Sequence, residues 1–368
     1  MAVKKSKPIF TLKKKGAKVK WSRFMGNTLV VACVVCFLFG SLMIAGGALL
    51  VEFNYNRSSA LDGATDEQLG IQQGADKDSS ITNIALFGVD SRNPNSFRGL
   101  SDCVMILSID KAHNKIKLTS IMRDSLVYIN GYRPNKINSA YALKGPELAI
   151  HTLNVNFNLN IRDYATINFA GMADVIEAMG GIEAEITQAE RNDANIHIKW
   201  MNIETGTPRT YIPEFTGKTK VMHLNGIQAV AYARIRHVST ADGQSNDFGR
   251  TDRQRYVLEQ LFNKVTTMGL GEYPAVIKSL LPYMETSLTY SEILGLSEVL
   301  VGGGIQLTQE RVPSRQYVIN MDFRGSGSSS VYYNLDYATG VIHSFIYDDI
   351  SSEEYMATHP IDKTEWYK

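Results

Sequence analysis

ITNIALFGVD at Ile81–Asp90, VMILSID at Val104–Asp110 and KIKLTSI at Lys115–Ile121 are three short apolar runs, each of a length that suits a buried strand. The four residues Lys111–Asn114 between the second and third are enough for a hairpin. Downstream the pattern changes period. From Asn138 to about Asn156 it is helical, with Ala142, Leu148, Ala149 and Leu153 on an apolar face. YATINF (Tyr164–Phe169) reads as strand, GMADVIEAM as helix, and GIEAEI, after Gly180-Gly181, as strand again. The clearest helix runs from Arg250 to about Thr267, where Val257, Leu258, Leu261, Phe262 and Val265 share one face and Asn246 or Asp247 supplies a cap. Further helical pattern covers Pro274–Leu281 and Ser291–Leu300. Beyond Gly302 the chain is rich in Tyr, Ser and Gly, with strand-like pieces such as QYVIN. Strands interleaved with helices predict an α/β domain in which helices cover a central sheet.

Upstream, the charge is unevenly spread. Nine basic residues and no acidic one precede Asn27. Removing those nine from the 38 basic residues leaves 29 against 37 acidic, a net of −8 for the remainder. The two regimes are separated by the uncharged run Leu29–Val51, whose 23 residues would span roughly 35 Å as a helix, enough to cross a hydrocarbon core of about 30 Å. The run continues past Ala45-Gly46-Gly47-Ala48 into Leu49-Leu50-Val51, which favours a retained anchor over a cleaved leader. Basic flanks stay cytoplasmic, so residues 1–27 read as a cytoplasmic tail, 28–52 as a signal-anchor helix, and the rest as an extracytoplasmic domain at the cell membrane. A basic tail can also contact nucleic acid, but the topogenic reading accounts for it without that partner. Arg57–Ser80 is polar and Gly/Ser/Asp-rich, and residues 53–80 read as a flexible tether. Cys33 and Cys36 lie inside the apolar run. Cys103 alone stands beyond it, so the outer domain has no internal disulfide.

The seven histidines never fall at metal-ligand spacing, and no H-E-x-x-H, G-x-S-x-G or Walker loop occurs, which disfavours a zinc enzyme or a His-driven hydrolase. Acidic and arginine residues gather instead at strand ends. Asp90 closes the first strand in VDSR, with Arg92 and Arg98 following; Asp102 stands before the second strand, and SIMRD sets Arg123 and Asp124 just past the third. In open α/β sheets ligands bind at the carboxyl ends of strands. YARIR would point Arg234 and Arg236 the same way if extended. DFGRTDRQR places Arg250 and Arg253 on one face of a helix start, where free N–H groups also favour an anion. Forked guanidinium groups match phosphate oxygens, and paired aspartates beside them suit Mg²⁺. The alternative for any one of these residues is a surface salt bridge, particularly for Asp124, Asp252 and Arg255.

In order, VDSR, RGLSDCVMIL, SIMRD, KINSAYALKG, INFAGMADVIEAMGGIEAEI, LNGIQAVAYARIRH and DFGRTDRQRYVL resemble the LytR-CpsA-Psr (LCP) family over about Ile81–Thr267. The resemblance implies an α/β/α domain with a central mixed sheet over residues 81–268, followed by an extension, 269–368, partly packed on it. It implies transfer of a glycopolymer from a polyprenyl-pyrophosphate carrier to peptidoglycan, with Mg²⁺ as cofactor. On the same basis Asp90 and Asp102 correspond to metal-associated aspartates. Arg92, Arg98, Arg123, Arg234, Arg236, Arg250, Arg253 and Gln254 correspond to pyrophosphate-contacting positions. Arg123, Asp124, Asp247 and Arg250 are the candidates for catalysis, and Asp124, Asn138 and Asp247 equally for holding the arginines and loops in place. Cys103 replaces the family's usual small hydroxyl residue. Phe169, Met172, Val175 and Ile176 would line a lipid cleft or belong to the plain core. A lipid-pyrophosphate hydrolase and a non-catalytic polymer-binding scaffold are the competing readings; which polymer is carried is not encoded in any of these motifs.

Overall fold

The computed structural model describes residues 56–362 apart from 76–77, 90, 92–95, 206–209, 240–248, 251, 255, 258–259, 262–263, 265–282, 290, 294–295, 297–305, 315–318 and 323–328. The basic tail and the apolar run Leu29–Val51 therefore lie outside the described residues, among which no helix is long and apolar enough to cross a membrane.

The three runs that opened the sequence form adjacent strands β2 (Ile81–Val89), β3 (Ser101–Asp110) and β4 (Lys115–Ile121). They pair antiparallel, and the expected hairpin joins β3 to β4. Every β3 residue but Asp102 is buried, because its alternating faces both meet core. Cys103, Met105 and Leu107 pack on one side, Val104 and Ile106 on the other. Parallel to β2 lies β7 (Asp163–Asn168), which makes the sheet mixed. Three further strands complete it: β1 (Asn56–Arg57), β10 (Met284–Thr286) and β11 (Gln306–Val312), in the order β1-β10-β7-β2-β3-β4-β11.

Helices α1 (Asn138–Lys144) and α2 (Pro146–Phe157) cover one face together with α6 (Leu335–Tyr347). The opposite face carries α3 (Phe169–Ala178), α4 (Gln188–Thr205) and α5 (Gly226–Arg234). The described residues between 249 and 264 are also helical, and Val257 and Leu261 join that second core. This is an α/β/α sandwich. Short pairs β5 (Leu126–Val127)–β6 (Asn135–Lys136), β8 (Ile182–Thr187)–β9 (Thr219–Leu224) and β12 (Ile319–Asp322)–β13 (Ser329–Tyr332) stand apart from the sheet, and α7 (Ser352–Thr358) follows α6.

Two expectations need correction. The segment read as a tether is held to the domain at separate points: Ser58 N donates to Thr286 O at 2.9 Å, Asn154 Nδ2 donates to Leu69 O at 2.8 Å, and Leu61, Leu69 and Ala75 are buried. Its sparse apolar residues are used as single anchors, which composition averages away. The part beyond 268 is no appendage either, since it contributes β10 and β11 to the sheet, β11 pairing in parallel with β4 along its whole length. Met172, Val175 and Ile176 are fully buried among core residues, so they build the core rather than an open cleft; the Phe169 side chain lies outside the described residues.

Candidate active site

β2, β4, β7 and β11 all point their carboxyl ends the same way, and β3 starts at that end, so residues flanking these strands meet along one rim. Asp102 is the second residue of β3, inside the strand rather than before it. Arg123 follows β4 by two residues, and its Nη1 donates to Asp102 Oδ1. The same guanidinium, through Nε, stands 3.6 Å from Asp124 Oδ2, while Lys136 Nζ donates to Asp124 Oδ1 at 2.9 Å. The result is an alternating chain Asp102–Arg123–Asp124–Lys136 in which every side chain is only about one-eighth to one-fifth exposed.

The turn carrying these groups is fixed from three directions. Asn138 N donates to Arg123 O and Ile137 N to Ser125 O, tying the turn to the start of α1. Met122 N donates to Val312 O at the end of β11. On the far side Val331 N of β13 donates to Asp124 O at 2.8 Å. The loop before β3 is held likewise: Asn168 Nδ2, at the carboxyl end of β7, donates to Ser96 O at 2.8 Å. Arg98, two residues further on, is exposed at the rim. Burial pushes the Cys103 thiol well above its ordinary value, so the cysteine is an inert filler beneath Asp102.

A second set of cations comes from the helices. Gly226 packs against the backbone of Ala173 and donates its N–H to Glu177, so α5 starts beside the lower part of α3 and returns toward the rim. Arg234 is its last residue. YARIR is therefore not extended: Arg234 ends a helix, Ile235 is buried and Arg236 is exposed. The reason is the capping box Asn225/Gln228, which commits the stretch to helix. Arg250 is buried at a helical start and Gln254 half-buried one turn on. Arg253 lies deeper. Its Nε donates to Glu190 at 2.9 Å, its Nη1 to Ile235 O, its Nη2 to Val238 O, and the Tyr232 ring lies against it. With both partners of the ion pair sealed from solvent, Arg253 braces the end of α5 instead of reaching a ligand. Asp90, Arg92 and Asp247 lie outside the described residues.

Among the described residues no cluster of three or more metal-type side chains occurs. Asp102, a hard oxygen donor beside a cation at the rim, fits one ligand of a Mg²⁺ that keeps most of its shell for water and phosphate.

Comparison with known proteins settles the family. The sequence model of the LytR_cpsA_psr family matches residues 51–336, over three-quarters of the chain. The chain belongs to the LytR_cpsA_psr family. Among LytR_cpsA_psr relatives it is 30% identical over 264 residues to the polyisoprenyl-teichoic acid--peptidoglycan teichoic acid transferase TagU of Oceanobacillus iheyensis, covering 67% of this chain and 71% of that one. It is 28% identical over 296 residues to Biofilm regulatory protein A of Streptococcus mutans, covering 75% and 68%. Solved structures share the fold. Protein gbs0355 of Streptococcus agalactiae superposes with a TM-score of 0.54 at 21% identity, covering 79% of this chain and 99% of that one. TagT bound to LI-WTA gives 0.52 at 19%, covering 74% and 91%.

The family match reaches well past Thr267, in keeping with strands β10 and β11 being part of the sheet. Two residues of the rim were not singled out in the sequence. Lys136 was visible inside the KINSAYALKG motif but carried no role until β6 brought it to Asp124. Asn168 gave no signal, because an amide that holds a backbone carbonyl has no sequence signature.

Proposed function

We propose that this chain is a membrane-anchored phosphotransferase that moves a glycopolymer from a polyprenyl-pyrophosphate carrier to peptidoglycan. The observation that carries this reading is the Asp102–Arg123–Asp124–Lys136 chain at the carboxyl ends of the strands, in a family whose relatives include named teichoic acid transferases. An acceptor sugar hydroxyl attacks the sugar-side phosphorus; the new P–O bond forms as the bridging P–O bond breaks, and polyprenyl monophosphate leaves with the electron pair. Little covalent chemistry is asked of the protein, so positioning and charge neutralisation supply the rate.

Arg123 is the central group, because its guanidinium is already oriented by Asp102 and so loses little freedom on meeting phosphate. Arg98 and Arg236, exposed, are the groups that reach outward to the diphosphate; Arg234, Arg250 and Gln254 stand on the helices behind them. Arg92 adds a further cation in the same motif order. Asp124 has Lys136 on one oxygen and Arg123 beside the other, which assigns it to positioning, and leaves Asp247 as the proton acceptor of the proposal. Asp90 and Asp102 would hold Mg²⁺, which when bound offsets charge on the phosphate oxygens.

The test incubates the full chain with Mg²⁺, a polyprenyl-pyrophosphate oligosaccharide and peptidoglycan fragments, with products followed by mass spectrometry. A phosphodiester-linked conjugate formed together with polyprenyl monophosphate, both lost in Arg123→Ala, is the expected result. Sugar phosphate released without coupling would make it a hydrolase, and binding without turnover a scaffold.

A further inference from the structure

Beside the Asp102–Arg123–Asp124–Lys136 chain, three short strands form a small platform. Ser125 bridges Val331 in parallel, which sets β13 alongside β5, and β5 pairs with β6, Leu126 opposite Lys136. One face of the platform belongs to the core beneath α1, α2 and α6, where Val127, Ile129 and Val331 are buried. The other face looks away from that core. Leu126 lies on it and joins neither core; Lys136 stands opposite, with its Nζ on Asp124. Tyr332 follows Val331 as Leu126 follows Ser125, so its side chain, half-buried, shares this face. Tyr128 stands between the inward-facing Val127 and Ile129, two residues past Leu126, and is 67% exposed on the same outer face.

Tyr128 is held firmly for so open a residue. Asn156 Oδ1 accepts from Tyr128 N at 3.0 Å and Asn156 Nδ2 donates to Tyr128 O at 2.8 Å, as a neighbouring strand would. Beyond it, Tyr132 N donates to Ile129 O at 2.9 Å, and Asn130 Nδ2 donates to His151 Nε2 at 3.3 Å, which ties the loop to α2. Val127 and Ile129 anchor the segment, so the fold makes little use of the Tyr128 ring. A ring displayed on a fixed backbone loses little freedom when a ligand meets it. Its flat apolar face and polar hydroxyl match a sugar ring, which offers C–H groups on its faces and hydroxyls at its edge.

We propose that this outer face is the subsite for the acceptor glycan, with one sugar ring stacked on Tyr128 and the chain leading past Leu126 and Lys136 toward Arg123. Four residues of extended chain separate Tyr128 from Asp124, about 13 Å, so the stacked ring belongs to the same short glycan segment as the attacking hydroxyl. The occupant is the acceptor and not the carrier's sugar, because of where the cations stand. Arg234 and Arg250 lie on helices over the opposite face of the sheet, whose core holds Val257 and Leu261. An acceptor entering over the platform approaches phosphorus from the side away from a leaving phosphate held by those arginines, as in-line displacement requires. The inference rests on the transfer reading and adds to it the place of the acceptor.

The test titrates the full chain in detergent micelles with soluble peptidoglycan glycan fragments, no carrier present, and separately with a polyprenyl-pyrophosphate oligosaccharide. Calorimetry reads both affinities. Tyr128→Ala is expected to weaken the glycan fragment about ten-fold and to leave carrier affinity within about two-fold, while Tyr128→Phe, which keeps the ring face, retains most of the fragment affinity. Thermal melts confirm that both variants are folded. Unchanged fragment binding in Tyr128→Ala, an equal loss for the carrier, or no fragment binding by the unaltered chain would overturn the proposal. No turnover is read, so a chain that binds the fragment through Tyr128 yet fails to transfer overturns the transfer reading and leaves the subsite standing.

Discussion

Two arginines of similar appearance in the sequence do different work. Arg123 sits at the rim between Asp102 and Asp124, and in the proposed reaction its head group would exchange a carboxylate for a phosphate oxygen. Arg123→Ala is expected to lower turnover by about a hundred-fold or more with little change in folding, and Arg123→Lys to recover only a part, since one ammonium cannot replace the planar fork; steady-state kinetics beside a thermal melt checks both. Arg253 should behave in the opposite way. Cutting it to Met leaves Glu190 charged and sealed from water, a loss of about 3–5 kcal/mol, whereas the double change Arg253→Met with Glu190→Leu should regain most of it. Urea unfolding of the two variants reads the difference. The order of motifs along the chain was enough to put Asp102 and Arg123 at strand ends, because residues that flank strands are placed by the strands themselves. It could not separate Arg253 from them. What buries that side chain is Glu190, 63 positions away, and spacing within DFGRTDRQR carries no trace of it.

Among the elements, legibility followed hydrophobic contrast. β2, β3, β4 and β7 were plain because both faces are buried and each carries a central apolar or β-branched run. β11, QLTQERV, was not read, since an edge strand exposes one flank and can be built from polar residues. α6 was hidden by its Tyr, Thr and Gly, although Asn334 caps it by accepting from Tyr337 N and its apolar face is fully buried. α4 went unseen because three of its large apolar residues face out. Close packing makes α5 sensitive at its first residue: a Cβ on Gly226 would stand 1.8 Å from the carbonyl oxygen of Ala173. Gly226→Ala should therefore cost about 1–3 kcal/mol despite alanine's better helix propensity, measured as a lowered denaturation midpoint. At the foot of the sheet, Lys117 binds Ile346 O at 2.7 Å and approaches Asp110 and Asp349, joining β4 to the end of α6. Burial works against both carboxylates, but hydrogen bonds from His113 and Lys117 to Asp110, and from Lys115 and Lys117 to Asp349, hold them below the ordinary carboxylate range. A depressed folded value means the stabilisation is present above about pH 4 and lost as pH falls through it. Melts from pH 5 down to pH 2 should fall steeply, and Asp110→Asn should flatten that limb.

For the molecule as a whole, the segment read as spacer begins with the first strand of the sheet, Asn56–Arg57. Trimming the chain to begin at Ser58 removes β1 and the Arg57–Asp62 pair. Such a fragment should melt a few degrees below one beginning at Glu52, which a calorimetric comparison would show. The other edge of the sheet has a different consequence, one of timing. β4 receives its second neighbour only from residues 306–312, long after residues 115–121 have emerged in synthesis. A chain delivered N-terminus first holds an unpaired, buried-type strand open for most of its passage, a template for pairing with whatever else is emerging nearby. The last sheet strand to arrive is the one that shuts that edge, so a chain interrupted before Gln306 would be a sticky intermediate instead of a smaller working domain.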